Sequence, residues 1–179
     1  MSDDTQFTAT EYADFQCWKS IMTPFAKSGW TTTSTSDFSN DTPDYCGYDA
    51  KVEKDGNVRY IVELKARRDD ITPTTFNDFS IDLTKFRNLQ VVMAEDGVDA
   101  YIVELFPKYG QGYVWHLDVL SEPRITTMTA PTKTLSKKPA KPKQMVLLSH
   151  LAAKVVTFPP TLWKESYQKA IDNLQKLNE

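Results

Sequence analysis

The stretch that decides the fold reads YDAKV at residues 48–52, DGN at 55–57 and YIVELKAR at 60–67. The first and last segments have the alternating character of β-strands, and the segment between them is short enough for a turn. We therefore predict a hairpin with an acid on its first strand and an acid-x-lysine pair on its second.

The predicted second strand places two charged side chains on one face. Because strand side chains alternate with period two, Glu63 and Lys65 project to the same side, and the alternate residues form an apolar face suited to the core. With Asp49 on the first strand, this gives two carboxylates and one ammonium beside a sheet. Such a set can hold a hard divalent cation and support water-based chemistry on a phosphodiester.

This spacing resembles that of the PD-(D/E)XK nuclease superfamily, over residues 48–67 and with helical patterns on either side. The resemblance implies that Asp49 and Glu63 bind Mg²⁺, or Mn²⁺ in its place. The backbone carbonyl of Leu64 is then a further ligand, and Lys65 orients or activates the attacking water.

Two assignments stay open within this resemblance. The first acid of the family often follows a proline, and the only Pro-Asp pair here is Pro43-Asp44. Asp49 is favoured because it begins an alternating run, whereas Asp44, the alternative first acid, lies among turn formers. Some family members add an acid from the first helix to the metal site, which makes Glu11 a candidate. A capping box formed with Thr8 is the simpler explanation of Glu11.

An ordinary surface hairpin is the competing interpretation of the acid-x-lysine pair. The run IVEL at residues 61–64 is almost continuously apolar, as in strands that are buried on both faces. A carboxylate and a lysine in a buried strand are costly unless they are paired or bound to metal. This favours a metal site over a solvated hairpin.

The element order extends the resemblance beyond the hairpin. Residues 8–120 show a helix, three strands, a second helix that starts near Ser80 or Asp82 and ends at Gly97, and two more strands. This order contains the αβββαβ order of the restriction-endonuclease-like α/β core, a mixed sheet flanked by helices, and adds one strand at its end. We expect residues 1–122 to form this core, and residues 123–179 to add a basic segment and an extra C-terminal helix packed on the same domain.

Composition fits a single soluble domain. The chain has 179 residues, of which 40% are hydrophobic, enough for a core. No run of about 18 apolar residues and no signal-peptide layout is present, so we expect a cytoplasmic protein without membrane association. Cys17 and Cys46 suggest neither a disulfide framework nor a zinc site. The resemblance implies a bacterial or bacteriophage source, and the host cytoplasm for a phage protein.

Charge is unevenly distributed along the chain. The formal net charge is −3, yet residues 123–164 contain eight basic residues and no acid. A positive track beside an acidic pocket would suit a DNA backbone; a solvated linker is the alternative for residues 136–143. The candidate DNA-contacting residues are Lys133, Lys137, Lys138, Lys141 and Lys143 in the basic segment and Arg67 at the end of the acidic motif. The resemblance adds Lys85, because the helix that follows the acid-x-lysine strand lies over the active site in that fold.

These observations predict a magnesium-dependent endonuclease or exonuclease that acts on DNA, with RNA not excluded. No recognisable sequence-reading domain is present, which favours weakly specific or structure-selective cleavage, and nucleases of this class are frequently homodimers. The alternative is a non-catalytic nucleic-acid-binding or protein-interaction module on the same fold. Nucleotide-binding loops and serine-hydrolase motifs are absent from the sequence.

Overall fold

The computed structural model describes residues 3–35, 47–120, 123–130 and 140–177. These parts contain three α-helices: α1 (Asp3–Met22), α2 (Leu83–Asp96) and α3 (Trp163–Leu177). They also contain nine strands: β1 (Trp30–Ser34), β2 (Ala50–Lys54), β3 (Asn57–Ala66), β4 (Asp78–Asp82), β5 (Asp99–Phe106), β6 (Gln111–His116), β7 (Arg124–Ala130), β8 (Lys141–Ser149) and β9 (Lys154–Thr157).

The larger sheet has the strand order β1-β2-β3-β5-β6-β9. Only β3 and β5 run parallel in it, and the other neighbours are antiparallel. Helices α1 and α3 pack on one face, and α2 with a smaller sheet packs on the other. The predicted fold class, a mixed sheet flanked by helices with an extra C-terminal helix, is confirmed.

The predicted hairpin is formed by β2 and β3. Its turn is Asp55-Gly56, and both residues have positive φ, 51° and 80°. These angles match the right-handed twist of the two strands, and Gly56 adopts its angle without steric cost. Strand β2 begins at Ala50, so Asp49 lies just before it, with its backbone N–H bonded to the carbonyl of Val62 at 3.0 Å.

The start of the first helix differs from the sequence prediction. Thr8 does not begin a capping box, because α1 already runs from Asp3 and Thr8 is buried within it. Ala9 packs with Ala170 and Ile171 of α3. This tertiary contact stabilises the N-terminal part of α1, since packing of an apolar face stabilises helical turns more than local sequence does. A 3₁₀ helix, Thr23–Ser28, follows α1 and ends at Gly29.

The smaller sheet, with the order β4-β8-β7, was not predicted. Strand β4 is inserted between β3 and α2, and Asp82 at its end caps α2, accepting a hydrogen bond from the backbone N–H of Thr84 at 2.9 Å. The predicted basic segment contributes β7 and β8, and β8 includes residues 141–143 of the stretch for which a solvated linker was the alternative. Phe79, Ile81 and Val146 of this sheet join the core below α2.

Within the described residues, no helix combines the length and the apolar character needed to cross a membrane. Cys17 is a buried free thiol, and Cys46 lies outside the described residues.

Candidate functional site

Asp49 is held against β3 by the backbone. Pairing of β2 with β3 ends at Ala50 and Val62, so the next backbone N–H on that edge, from Leu64, has no strand partner there. The Asp49 carboxylate takes this bond, with Oδ2 2.7 Å from the Leu64 nitrogen. The N–H and C=O of one strand residue point to the same edge. The Leu64 carbonyl therefore faces the same side as Asp49.

Glu63 projects from β3 toward α2 and is only 6% exposed. Its Oε1 accepts a hydrogen bond from the Lys85 ammonium, whereas Oε2 is buried and has no hydrogen-bond partner. Burial raises the pKa of Glu63 to about 8; the charge of Asp49 contributes to this rise, and Lys85 opposes it. The site thus brings two carboxylates together, and one buried oxygen of Glu63 has no hydrogen-bond partner.

Lys85 lies in the first turn of α2, where the Asp82 cap fixes the helix start. Its ammonium pairs with Glu63, and about half of its side chain is exposed. Burial lowers the pKa of Lys85, but the charges of Glu63 and Asp49 outweigh this effect and raise it above its ordinary value. Lys85 is therefore the counterion of the two carboxylates.

Lys65 follows Glu63 by two residues on β3, as predicted, but its ammonium pairs with a different acid. Its Nζ lies 3.4 Å from Oδ2 of Asp14 on α1. Asp14 is 6% exposed, and its Oδ1 accepts a hydrogen bond from the indole Nε1 of Trp163 at 2.8 Å. Sequence reasoning missed Asp14, although it lies three residues after Glu11 and so shares its helix face.

Glu11 lies close enough to the site for its charge to raise the pKa of both Glu63 and Lys85. The structure thus brings Asp49, Glu63, Leu64, Lys85 and Glu11 into one neighbourhood, with Lys65 at its α1 side. The alternative first acid, Asp44, lies outside the described residues, as do Lys133, Lys137 and Lys138.

The remaining predicted DNA-contacting residues within the described part of the chain are exposed or pair with other acids. Lys143 of β8 pairs with Asp82 at 3.3 Å, and Lys141 is exposed at the start of the same strand. Arg67 is mostly buried: its Nε lies 2.5 Å from Oε1 of Glu104 on β5. Glu104 is completely buried and also contacts His150, with Nε2 2.7 Å from Oε2.

Within the described residues, no three His, Cys, Asp or Glu side chains converge closely enough to form a metal-binding group by themselves. Asp49, Glu63 and the Leu64 carbonyl instead offer two carboxylates and one backbone oxygen. This donor set suits a hard cation such as Mg²⁺, which retains several water ligands in protein sites. The buried, unpartnered Oε2 of Glu63 is consistent with such an ion.

No protein-family model and no curated protein sequence matches this chain. Among solved structures, similarity is found to Hjc, a Holliday junction resolvase from the archaeal hyperthermophile Archaeoglobus fulgidus. The likeness covers 77% of this chain and 89% of the resolvase chain, with a TM-score of 0.45 and 9% sequence identity. No residue role follows from a likeness of this size.

Proposed function

We propose that this chain is a divalent-metal-dependent nuclease of the PD-(D/E)XK type that hydrolyses phosphodiester bonds of DNA. One observation carries the proposal: the buried Oε2 of Glu63 has no hydrogen-bond partner and lies in the field of a second carboxylate, Asp49. A buried, unpartnered carboxylate oxygen is costly. A hard divalent cation is a suitable partner for such a pair.

In this proposal Asp49, Glu63 and the Leu64 carbonyl hold Mg²⁺, with Mn²⁺ as a substitute and Glu11 as a further ligand. The bound ion supplies Lewis-acid stabilisation of the phosphate charge. Lys65 orients or deprotonates the water that attacks the phosphorus in line with the leaving oxygen. Its place on the same strand as Glu63 supports this role, because a strand holds alternate side chains at a constant spacing.

Lys85 has a second part in the proposal. Its ammonium neutralises Glu63 when no cation is bound. With a divalent ion on the carboxylates, the Lys85 ammonium would be free to bind a phosphate of the substrate beside the scissile bond. A lysine suits the exchange because its flexible stem carries a compact charge to either partner.

The DNA backbone is proposed to follow the basic segment. Lys141 and Lys143 lie on β8, where Lys143 pairs with Asp82 at the start of α2. Lys133, Lys137 and Lys138 belong to the same segment by sequence. Arg67 contributes less to this surface, because its guanidinium is engaged by Glu104. We propose that residues 123–179 belong to the same domain as the core, that cleavage is weakly sequence-specific or structure-selective, and that the active form is a homodimer.

A second candidate function is a nucleic-acid-binding module that does not cleave. It is favoured by the internal pairing of both lysines, Lys65 with Asp14 and Lys85 with Glu63, which neutralises charge without any ion. The unpartnered Oε2 of Glu63 favours the nuclease, because a module that does not cleave needs no carboxylate oxygen for a metal ion.

The test compares cleavage of plasmid DNA, a four-way DNA junction and RNA with Mg²⁺, Mn²⁺ or EDTA. Asp49→Asn and Glu63→Gln should abolish metal-dependent cleavage while DNA binding persists. The matched control is Glu53→Gln, a half-buried acid on β2 outside the site, which should cleave normally. Cleavage that survives both site variants rejects the proposal, and a loss in Asp44→Asn without loss in Asp49→Asn transfers the first acid to Asp44.

A further inference from the structure

The pair between Lys65 and Asp14 belongs to a longer chain of contacts that reaches α3. We infer that Asp14 is a positioning residue: held by the Trp163 indole, it keeps the Lys65 ammonium at the α1 side of β3 and so prevents it from pairing with the free oxygen of Glu63. The inference rests on the proposed nuclease function for the role that it gives to Lys65.

The Asp14 carboxylate accepts hydrogen bonds from two other elements of the fold. Its Oδ1 accepts from Trp163 Nε1 at 2.8 Å, and its Oδ2 pairs with Lys65 Nζ at 3.4 Å. The backbone N–H of Ala66 also donates to this carboxylate. Three donors from β3 and α3 therefore converge on one buried side chain of α1. Such convergence leaves the carboxylate little freedom to rotate.

Trp163 is itself held in place by several contacts. Trp163 is the first residue of α3 and is 5% exposed. Its backbone N–H donates to Oδ1 of Asp69 at 3.0 Å, and that of Lys164 donates to Oδ2 at 3.3 Å. Asp69 lies three residues beyond the end of β3 and so caps α3 from a distance in sequence. The indole also stacks on Tyr167. The donor to Asp14 is thus bonded to the segment that directly follows the strand carrying Lys65.

Without Asp14, Lys65 would have another acid to pair with. Glu63 lies on the same face of β3, two residues away, and has a free carboxylate oxygen. An unrestrained lysine side chain has many rotamers, and the nearest free acceptor would attract its ammonium. Lys65 would then compete with a cation for Glu63. Asp14 prevents this by offering a preorganised partner.

A misplaced catalytic group typically costs about 10²-fold in rate. Asp14 and Trp163 are therefore expected to affect turnover through Lys65 alone. If Asp14 and Trp163 had only a structural role, replacing them would lower turnover by the same factor whether or not Lys65 is present.

The first measurement needs no nuclease activity. Lysine amines of the metal-free protein are labelled by reductive methylation, and the labelling rate of Lys65 is read by peptide mass spectrometry. We expect Asp14→Asn and Trp163→Phe to change the rate for Lys65 several-fold, with the other lysines unaffected. The matched control is Trp18→Phe, which removes the indole donor to Thr32 on β1 and should leave Lys65 unchanged. Equal Lys65 rates in all four proteins overturn the inference.

The second measurement is a double-mutant cycle on cleavage. Asp14→Asn and Trp163→Phe should each lower kcat by about tenfold to a hundredfold with little change in KM. In the Lys65→Ala background, the same changes should cause no further loss. A further loss there, or a thermal unfolding temperature that falls in parallel with kcat, shows a structural role and overturns the inference. Absence of cleavage by the parent protein rejects the proposed function instead, and labelling then decides the position of Lys65.

Discussion

Glu63 of β3 and Lys85 of α2 form an ion pair that engages only one of the two carboxylate oxygens. The pair joins the central sheet to the helix that crosses it, 22 residues further along the chain. Because the other oxygen is buried without a partner, the pair leaves the site short of positive charge. The pH dependence and the metal dependence expected of Glu63 and Lys85 follow from this imbalance.

Stability without metal should depend on pH through Glu63. Burial raises its pKa from the ordinary 4.5 to about 8, so the folded chain keeps a proton that the unfolded chain releases. Below the unfolded pKa, the titration of Glu63 therefore leaves the free energy of unfolding unchanged. As pH rises from there toward the folded pKa, it lowers the free energy of unfolding. Glu63→Gln should therefore unfold at a higher temperature than the parent protein at pH 8.5 in EDTA, with the difference vanishing near pH 4.5.

Divalent ions should reverse that order. With saturating Mn²⁺ the parent protein gains stability by binding, whereas Glu63→Gln lacks a ligand and gains little. Thermal unfolding at pH 8, with and without Mn²⁺, measures both effects. An equal shift for the two proteins would mean that the ion binds elsewhere.

Lys85→Gln should strengthen binding of Mn²⁺ several-fold, because the ammonium no longer competes for Glu63. The same change should lower stability in EDTA, since it leaves the Glu63 carboxylate without its cation. Mn²⁺ titration followed by calorimetry gives the affinity. Arg87→Gln, which removes an exposed charge from the same helix, is the control. Weaker Mn²⁺ binding by Lys85→Gln would contradict the competition.

Lys65→Ala should lose turnover by about 10²-fold or more, as expected for a positioned acid-base or electrostatic group. Affinity for metal and for DNA should be retained. Single-turnover cleavage with enzyme in excess separates the two effects. Weakened DNA affinity combined with normal turnover of bound substrate would identify Lys65 as a phosphate clamp.

Glu104 should matter for stability alone. It is fully buried between Arg67 and His150. Glu104→Ala should destabilise the fold by about 3–5 kcal/mol, because it leaves a mostly buried arginine without its partner. Denaturant unfolding measures the change, and Asp99→Ala, at a half-exposed acid of the same strand, should cost much less. Similar costs for the two variants would show that the Glu104 cluster is not a structural anchor.

The basic segment should govern the salt dependence of DNA binding. Replacing Lys133, Lys137 and Lys138 by alanine should flatten the slope of log K against log salt by about 0.9 for each lost phosphate contact on duplex DNA. Affinity for Mn²⁺ should stay the same, because these residues are not among the proposed ligands. A slope that does not change would identify the run as a solvated linker.

Much of the fold followed from local pattern. The period-two alternation of β3, the Asp55-Gly56 turn and the Gly97 helix stop are features of neighbouring residues, and the sequence predicted each of them. The smaller sheet was missed because β4 and β8 pair across about 65 residues, as with Ile81 and Val146, and periodicity carries no information about such partners.

In the candidate site, too, local sequence predicts some features and tertiary contacts decide the others. The pentapeptide YIVEL occurs twice, at residues 60–64 of β3 and 101–105 of β5, with Glu63 and Glu104 at the same position in each copy. By itself the sequence determined that both carboxylates lie on strands among apolar neighbours. Only the tertiary structure decided that Arg67 and His150 occupy both oxygens of Glu104 and that Lys85 leaves one oxygen of Glu63 free. These partners come from other elements of the fold, and packing alone brings them to the carboxylates.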